Sequence, residues 1–274
     1  MHVKVSVIIS YYNKYQVLFL LLKALENQSF KDFDVIIADD GSNDESSKNI
    51  NQYLSLSPLK VTRVWHEDKG FRKNKILNQA VLASKADYLI FIDGDCIPQK
   101  FFVEDHVQNA ELGYALNGRR VDLCPKMSSL LLNTKSPEIF FDQNKINILT
   151  RYLFLSSGKN IEKGFRITCQ KLKSYLNKKT KGLVGCNMSF FKQDILDING
   201  FDERYEAAGV GEDSDIDFRL RGIGVKIKNI FYQANQLHIY HKELPREKIN
   251  DDIFNSVIQA KAYRTPFGIE KEPQ

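Results

Sequence analysis

The sequence has little of what marks specialised chains. Its four cysteines, Cys96, Cys124, Cys169 and Cys186, include no CxxC pair, so neither a zinc site nor a dithiol redox motif is indicated. Four cysteines in 274 residues are no disulfide scaffold, and a reducing compartment is the simpler setting. Seven prolines and 15 glycines exclude collagen-like and proline-rich fibres. The longest obvious apolar block, Val17 to Leu22, falls far short of the ~18 residues that span a bilayer. The N-terminal run Val5 to Ile9 is too short for a signal sequence and leads into Tyr11-Tyr-Asn-Lys14 rather than a cleavage site. The expectation is a cytoplasmic protein, soluble or peripheral on the inner face of the membrane. No charge dominates: 39 basic against 34 acidic residues give a net +5, too mild for a dedicated nucleic-acid binder but tolerant of anionic ligands. No GxGxxG follows the first strand and no GxxxxGK[ST] occurs, which argues against a dinucleotide-binding oxidoreductase and a P-loop kinase.

What is present suffices for a packed core: 43% hydrophobic and 27% charged residues. The first hundred residues alternate strand and helix signals. Strands are predicted over 3–10, 34–38, 60–65 and 87–92. Helices are predicted over Val17 to Leu25, over Asp44 to Leu54 with Asp44 as cap, and over Lys73 to Ser84. This order predicts a mostly parallel sheet with helices on both faces, whose ligands bind beyond the carboxyl ends of the strands. Three polar clusters stand at such ends: Ser10 to Asn13, Asp39 to Ser42, and Asp93 to Asp95.

Residues 126–181 read as a helical insertion. Its part from Lys159 to Lys181 has eight basic residues and one acid, Glu162, with Ile161, Phe165, Cys169, Leu172 and Leu176 at helical spacing. A solvated amphipathic helix is the plain reading, and a contact with an anionic membrane surface or acceptor the sharper one. The last third returns to strands over 183–191, 225–231 and 236–240, and to a helix opened by Gly211-Glu-Asp-Ser-Asp-Ile-Asp217. The expected organisation is one domain over residues 1–254 and a tail over 255–274.

Three constellations carry chemistry. Asp93-Gly-Asp95 follows an apolar strand, and two carboxylates so spaced suit a hard divalent cation such as Mg²⁺ or Mn²⁺, or its water shell and a ribose. A haloacid-dehalogenase-type phosphatase also places such a pair after a strand, but after the first, whereas this strand is the fourth and Cys96 follows. Glu212 and Asp213 stand at a helix start, where a carboxylate is stabilised by the helix end or kept ionised as a general base. His238 and His241, two of only five histidines, stand near a strand end and suit a metal ligand.

Together Val5-Ser-Val-Ile-Ile-Ser-Tyr-Tyr-Asn-Lys14, Ala38-Asp-Asp-Gly-Ser42, Phe91-Ile-Asp-Gly-Asp95 and Gly211-Glu-Asp213 resemble a family 2 glycosyltransferase of the GT-A fold. Trp65-His-Glu-Asp-Lys-Gly-Phe-Arg72, Gly185-Cys-Asn-Met-Ser-Phe-Phe191, Asn199-Gly-Phe-Asp-Glu203 and Tyr240-His-Lys-Glu243 are similar to the branch containing the N-terminal transferase domain of bacterial chondroitin polymerase. The Gly-Glu-Asp motif also resembles that of the β-1,4-galactosyltransferases. The resemblance implies an inverting, metal-dependent transfer from a UDP-sugar to a saccharide or lipid-linked saccharide in surface polysaccharide synthesis. It implies that Asp40 reads the uracil, that Ser10 and Tyr12 flank the base, and that Arg72 and Lys75 approach the nucleotide. Asp93 and Asp95 match the metal and ribose motif, with Asp95 and His241 as metal ligands. Asp213 matches the catalytic base and Glu212 an acceptor-binding partner. One departure stands out: Ala207-Ala-Gly-Val-Gly211 has no Trp where relatives often carry Gly-Trp-Gly. Two other readings stay open. A sugar-nucleotide nucleotidyltransferase would be expected to carry a basic, glycine-rich loop after its first strand. A non-catalytic sugar-nucleotide binder would not need the intact acids and His241.

Overall fold

A computed structural model of the chain describes residues 3–155, 157–179, 181–207, 211–242 and 248–271. The first half alternates as expected: β1 (Val5–Tyr11), α1 (Tyr15–Glu26), β2 (Phe33–Asp39), α2 (Asp44–Leu54), β3 (Val61–Trp65), α3 (Lys73–Ala83) and β4 (Tyr88–Asp93). These strands lie parallel in the spatial order β3-β2-β1-β4. The register sets Val7 beside Val35 and Ile90, and Ile9 beside Ile37 and Ile92. Side chains alternate across a strand, so these residues enter one core with Leu18, Leu21 and Leu25 of α1. Ile8, Ile36, Leu89 and Phe91 enter a second core with Ile76, Leu77 and Val81 of α3. Burial on both faces is why the strands read as continuous apolar runs. The cap of α2 is Asn43 rather than the expected Asp44: Asn43 is extended, and its side chain accepts from the Ser46 N–H at 2.9 Å. Asp44 lies inside the first turn, where negative charge favours the helix end.

The second half adds β5 (Cys96–Pro98), α4 (Phe102–Asn109), β6 (Tyr114–Asn117), β7 (Val121–Asp122), α5 (Pro125–Leu132), α6 (Phe140–Leu155), α7 (Gln170–Leu176), β8 (Met188–Phe191), α8 (Lys192–Asp197), α9 (Glu212–Gly222), β9 (Lys226–Asn229), β10 (Gln236–His238) and α10 (Lys248–Ala260). The sheet continues β4-β8-β6-β9, with β8 antiparallel to both neighbours. A small sheet, β5-β10-β7, sets His238 opposite Cys96 on one side and Asp122 on the other.

Three sequence expectations change here. The strand expected over 183–191 shortens to β8, because the Asn187 N–H closes a turn onto the Val184 carbonyl at 2.9 Å. The buried Asn187 amide then donates to the carbonyls of Arg119 (2.7 Å) and Ala234 (2.9 Å). The insertion is helical in α5, α6 and α7, but the amphipathic helix expected from Ile161 to Leu176 does not form. Ile161 sits in a 3₁₀ turn, residues 165–169 are not helical, and α7 buries none of its residues. Tertiary bonds override the periodicity: Arg166 pairs with Asp105 at 2.7 Å, and the Ile167 N–H donates to the Tyr232 carbonyl at 2.9 Å. The boundary expected at 254/255 falls inside α10, where Val257 is buried and Phe254 packs edge-on against Phe218. Residues 262–270 then return to the body, where the Asn199 amide donates to the Thr265 and Glu270 carbonyls at 2.7 and 2.9 Å.

Candidate active site

The ends of β1, β2 and β4 lie in one row, because register pairs Tyr11 with Asp39 and Ser10 with Asp93. Beyond them opens a cleft of about 540 Å³, lined among others by Ser10, Tyr12, Asp40, Lys73, Asp93 and Asp95. The Ser10 hydroxyl donates to Asp93 Oδ1 at 2.8 Å, and Lys73 Nζ lies 2.8 Å from the same oxygen. The Gly94 N–H donates to the Ser10 carbonyl at 2.8 Å, and a Cβ on Gly94 would stand 2.8 Å from that oxygen. Only glycine therefore fits between the two aspartates. Asp40 is buried; its Oδ1 lies 2.7 Å from His66 Nε2, and its Oδ2 accepts from the Arg72 N–H at 2.9 Å. Burial pushes its carboxyl above the usual range, against the pull of those two bonds. Tyr12 is half-exposed at the rim, with its hydroxyl donating to Asp68 Oδ2 at 2.9 Å.

Asp95, His238 and His241 offer ligand atoms that all lie within 4.8 Å of one another. His241 Nε2 is 3.1 Å from Asp95 Oδ2, His238 Nε2 is 3.6 Å from Asp95 Oδ1, and the two ring nitrogens are 3.1 Å apart. Asp122 Oδ1, 3.1 Å from His238 Nδ1, holds a proton on that nitrogen. The Lys242 carbonyl, 3.0 Å from His241 Nδ1, does the same for the second ring. Both Nε2 lone pairs then face one point beside a carboxylate. Ligands at right angles around a small divalent cation, each ~2.1–2.2 Å away, stand ~3.0–3.1 Å apart, so the spacing fits. The surrounding carboxylates favour positive charge at this point, so a cation would compete there with protons on the two Nε2 atoms. Burial alone would raise the Asp95 carboxyl, but the hydrogen bonds with His238 and His241 outweigh it and hold it well below the usual range. Burial opposes the charge on His238, yet Asp122 and Asp95 raise its pKa to about 9.

A second cleft, of about 300 Å³, adjoins the first and shares Asp93 with it; Arg119, Asp122, Asn160, Gly185 and Asp213 also line it. Asp213 stands in the first turn of α9, half-buried, and its Oδ1 accepts from the Ser214 N–H at 2.7 Å. Burial pulls the Arg119 pKa down against the charge of Asp213, while the Asn117 side chain (2.6 Å) and the Gly118 carbonyl (2.7 Å) fix the guanidinium.

Residues 6–197 match glycosyl transferase family 2. The chain belongs to that family. Residues 164–242 of the transferase also match the N-terminal domain of galactosyltransferase. It is 25% identical to chondroitin synthase of Escherichia coli over 97% of this chain, but spans only 39% of that protein. It is 27% identical to an uncharacterized glycosyltransferase of Bacillus subtilis over 91% of this chain and 68% of that one. Among solved structures, it resembles a mannosyltransferase of Pyrobaculum calidifontis in complex with GDP-Man and Mn²⁺ (TM-score 0.59, 16% identity, covering 89% of this chain and 59% of that one). It also resembles S. aureus TarS 1–349 in complex with UDP-GlcNAc (TM-score 0.56, 18% identity, 88% and 60% covered). The fold is GT-A, the α/β class expected from the sequence.

The transferase brings Ser10, Tyr12, Asp40, Asp93 and Asp95 to one cleft with His241, and Asp213 to the adjoining one. Other expected residues sit elsewhere. Asp93, expected among the metal ligands, is bonded to Ser10 and Lys73, and His238 completes the three-residue cluster instead. Arg72 meets Asp40 through its backbone N–H, while its guanidinium donates to the Glu67 carbonyl. Lys75 is not among the residues lining the first cleft; Lys73, at the start of α3, is. Glu212 opens α9, with its side chain outside the described part, as are residues 208–210 of the segment that lacks the Trp. Sequence reasoning missed His66, Lys73 and Asp122. The His238/His241 spacing signalled His238, and nothing local signals Asp122.

Proposed function

We propose that this transferase moves a hexose or N-acetylhexosamine from a UDP-sugar to a hydroxyl of a glycan or lipid-linked saccharide, with inversion, in surface polysaccharide synthesis on the cytoplasmic side of a membrane. The observation that carries the reading is the Asp95–His238–His241 cluster beside two clefts that meet at Asp93, with Asp213 in the second. Bound there, Mn²⁺ or Mg²⁺ would supply Lewis-acid neutralisation of the leaving diphosphate. Two imidazoles suit Mn²⁺ better than Mg²⁺, which prefers oxygen. The GDP-Man and Mn²⁺ complex of one structural neighbour and the UDP-GlcNAc complex of another support a metal-assisted nucleotide-sugar donor.

The chain's own residues divide the work. Asp40 accepts the uracil N–H on a remaining lone pair, since each carboxylate oxygen can take two bonds. Tyr12 offers its ring to the base. Ser10 and Lys73 hold Asp93 towards the ribose. Asp122 fixes the tautomer of His238. Asp213, kept ionised at the start of α9, takes the proton of the acceptor hydroxyl as that oxygen attacks the anomeric carbon from the face opposite the diphosphate. Glu212 orients the acceptor. The test is a panel of UDP-sugars with saccharide acceptors and Mn²⁺, followed by UDP release and by the anomeric configuration of the product. UDP release that depends on acceptor and metal, with an inverted product, is expected. A retained anomer, or no turnover with any UDP-sugar while GDP-sugars react, overturns the proposal.

A further inference from the structure

We propose that the last turn of α6, with the basic segment that follows it, is a docking surface for an anionic lipid bilayer. The inference goes beyond the transferase reading, because lipid binding is measured without turnover. α6 starts inside the protein, with Phe140, Phe141 and Ile148 buried. Its other end does not: Leu153, Phe154 and Leu155 are 68%, 80% and 64% exposed, Tyr152 is exposed beside them, and Ile146 is 75% exposed. A single exposed leucine is ordinary, but four successive large apolar side chains in water are not. Ile146 and Leu153, seven residues apart, lie on one stripe of the helix, so the exposed apolar surface extends two turns back from the tip.

Charge identifies the occupant. Between residues 143 and 181 the sequence holds ten basic residues and one acid, Glu162. That surplus of nine exceeds the net +5 of the whole chain, so the remainder is net acidic. Two of the ten turn inward, Arg166 to Asp105 and Lys163 to the Tyr232 hydroxyl. Lys145, Lys159, Lys171, Lys178 and Lys179 are exposed. α7 buries nothing and adds exposed Leu172 and Tyr175. Apolar side chains flanked by lysines suit the boundary between acyl chains and anionic head groups, whereas the core of a protein–protein interface is depleted in lysine. No described helix is long and apolar enough to cross a membrane, so the contact is interfacial. Leu155 is five residues from Asn160, which lines the cleft of Asp213. Extended chain spans at most ~18 Å over that length, so docking by the tip keeps this cleft near the head groups.

The test is co-sedimentation of the full chain with vesicles of phosphatidylcholine alone or of an equimolar phosphatidylcholine–phosphatidylglycerol mixture, at low and high salt. Binding to the anionic vesicles that falls with salt is expected. A Leu153→Ser, Phe154→Ser double variant should lose on the order of tenfold or more of that partitioning, with unchanged melting temperature and UDP affinity. Lys171→Glu with Lys178→Glu should abolish the preference for phosphatidylglycerol. Absence of vesicle binding, or equal binding to both compositions, overturns the proposal. So does a dimer, seen by sedimentation velocity, that the serine variant dissolves while vesicles leave the wild type in solution; that result gives the face to a second copy of the chain.

Discussion

The two clefts that meet at Asp93 are built in different ways. In the first, Ser10, Asp40 and Asp93 stand at the ends of three adjacent parallel strands, and ladder register alone brings them together. On the other side, Arg119, Asn160, Gly185 and Asp213 come from distant segments hung on individual amides. Asn187 grips the Arg119 and Ala234 carbonyls, and the Asn117 amide donates to the Gly182 carbonyl at 2.9 Å. A site at sheet ends changes only if the sheet does. A wall held by single side chains can change piece by piece, so the strand-end cleft is the fixed part of this transferase and the Asp213 cleft the adjustable one.

Four measurements break or sharpen that contrast. Asp213→Asn keeps the shape of the second cleft and removes the proposed base, so kcat should fall roughly 10²-fold or more. Calorimetry should find UDP affinity unchanged. Near-normal kcat at saturating acceptor would move the base to another carboxylate. Asp122→Asn touches both clefts, because Asp122 lines one and orients His238, which contacts Asp95 and His241 of the other. Mn²⁺ affinity should weaken ~10–100-fold, as for other carboxylates behind a ligating histidine; unaltered affinity would remove His238 from the ligand set. Asn187→Ala leaves the buried Ala234 carbonyl and the half-buried Arg119 carbonyl without this donor, a loss of about 1–3 kcal/mol. Urea unfolding should register it, and the acceptor KM should rise more than the UDP Kd; equal changes would mean the clefts are not separately built.

The smallest effect lies in acid. Burial would raise the Asp202 carboxyl, but bonds from Arg204 and Thr265 outweigh it and hold the pKa below 3.8. A depressed folded pKa means the stabilisation is complete above the unfolded value and drains away as pH falls through the folded one. The melting temperature should therefore hold down to about pH 4 and drop below it. Because Asp202 anchors α9, acceptor turnover measured after an acid pulse should recover more slowly than UDP binding. Parallel recovery would show that α9 and the sheet unfold together.

The strand-end cleft is legible in the sequence because strand ends are local. Apolar runs ending in Ser10, Asp40 and Asp93 announce both a strand and a site, and Gly94 marks where backbone comes close. Lys73 and Lys75 show where that reading fails. Two residues along a helix rotate a side chain by ~200°, so the start of α3 must be known to the residue. Asp93 reads as a partner of Asp95 because adjacency in sequence competes with adjacency in space. β10 carries His238 to Asp95 from far along the chain. The insertion misled most. Its apolar spacing was real, but Arg166 gained more from Asp105, and Ile167 from Tyr232, than either would from continuing a helix.

The fully buried Arg219 of α9 bonds Asp215 at 2.6 Å, Asp202 at 3.2 Å and the Ala262 carbonyl, and Thr265 donates to Asp202 at 2.8 Å. A buried guanidinium missing any of these partners is costly. On the ribosome the order of arrival then matters. The parallel strands emerge first, but the helix bearing Asp213 lacks part of its polar anchoring until residue 265 has left the exit tunnel. A nascent chain paused before that point would hold the strand ends of the first cleft in register before Asp213 has its final position.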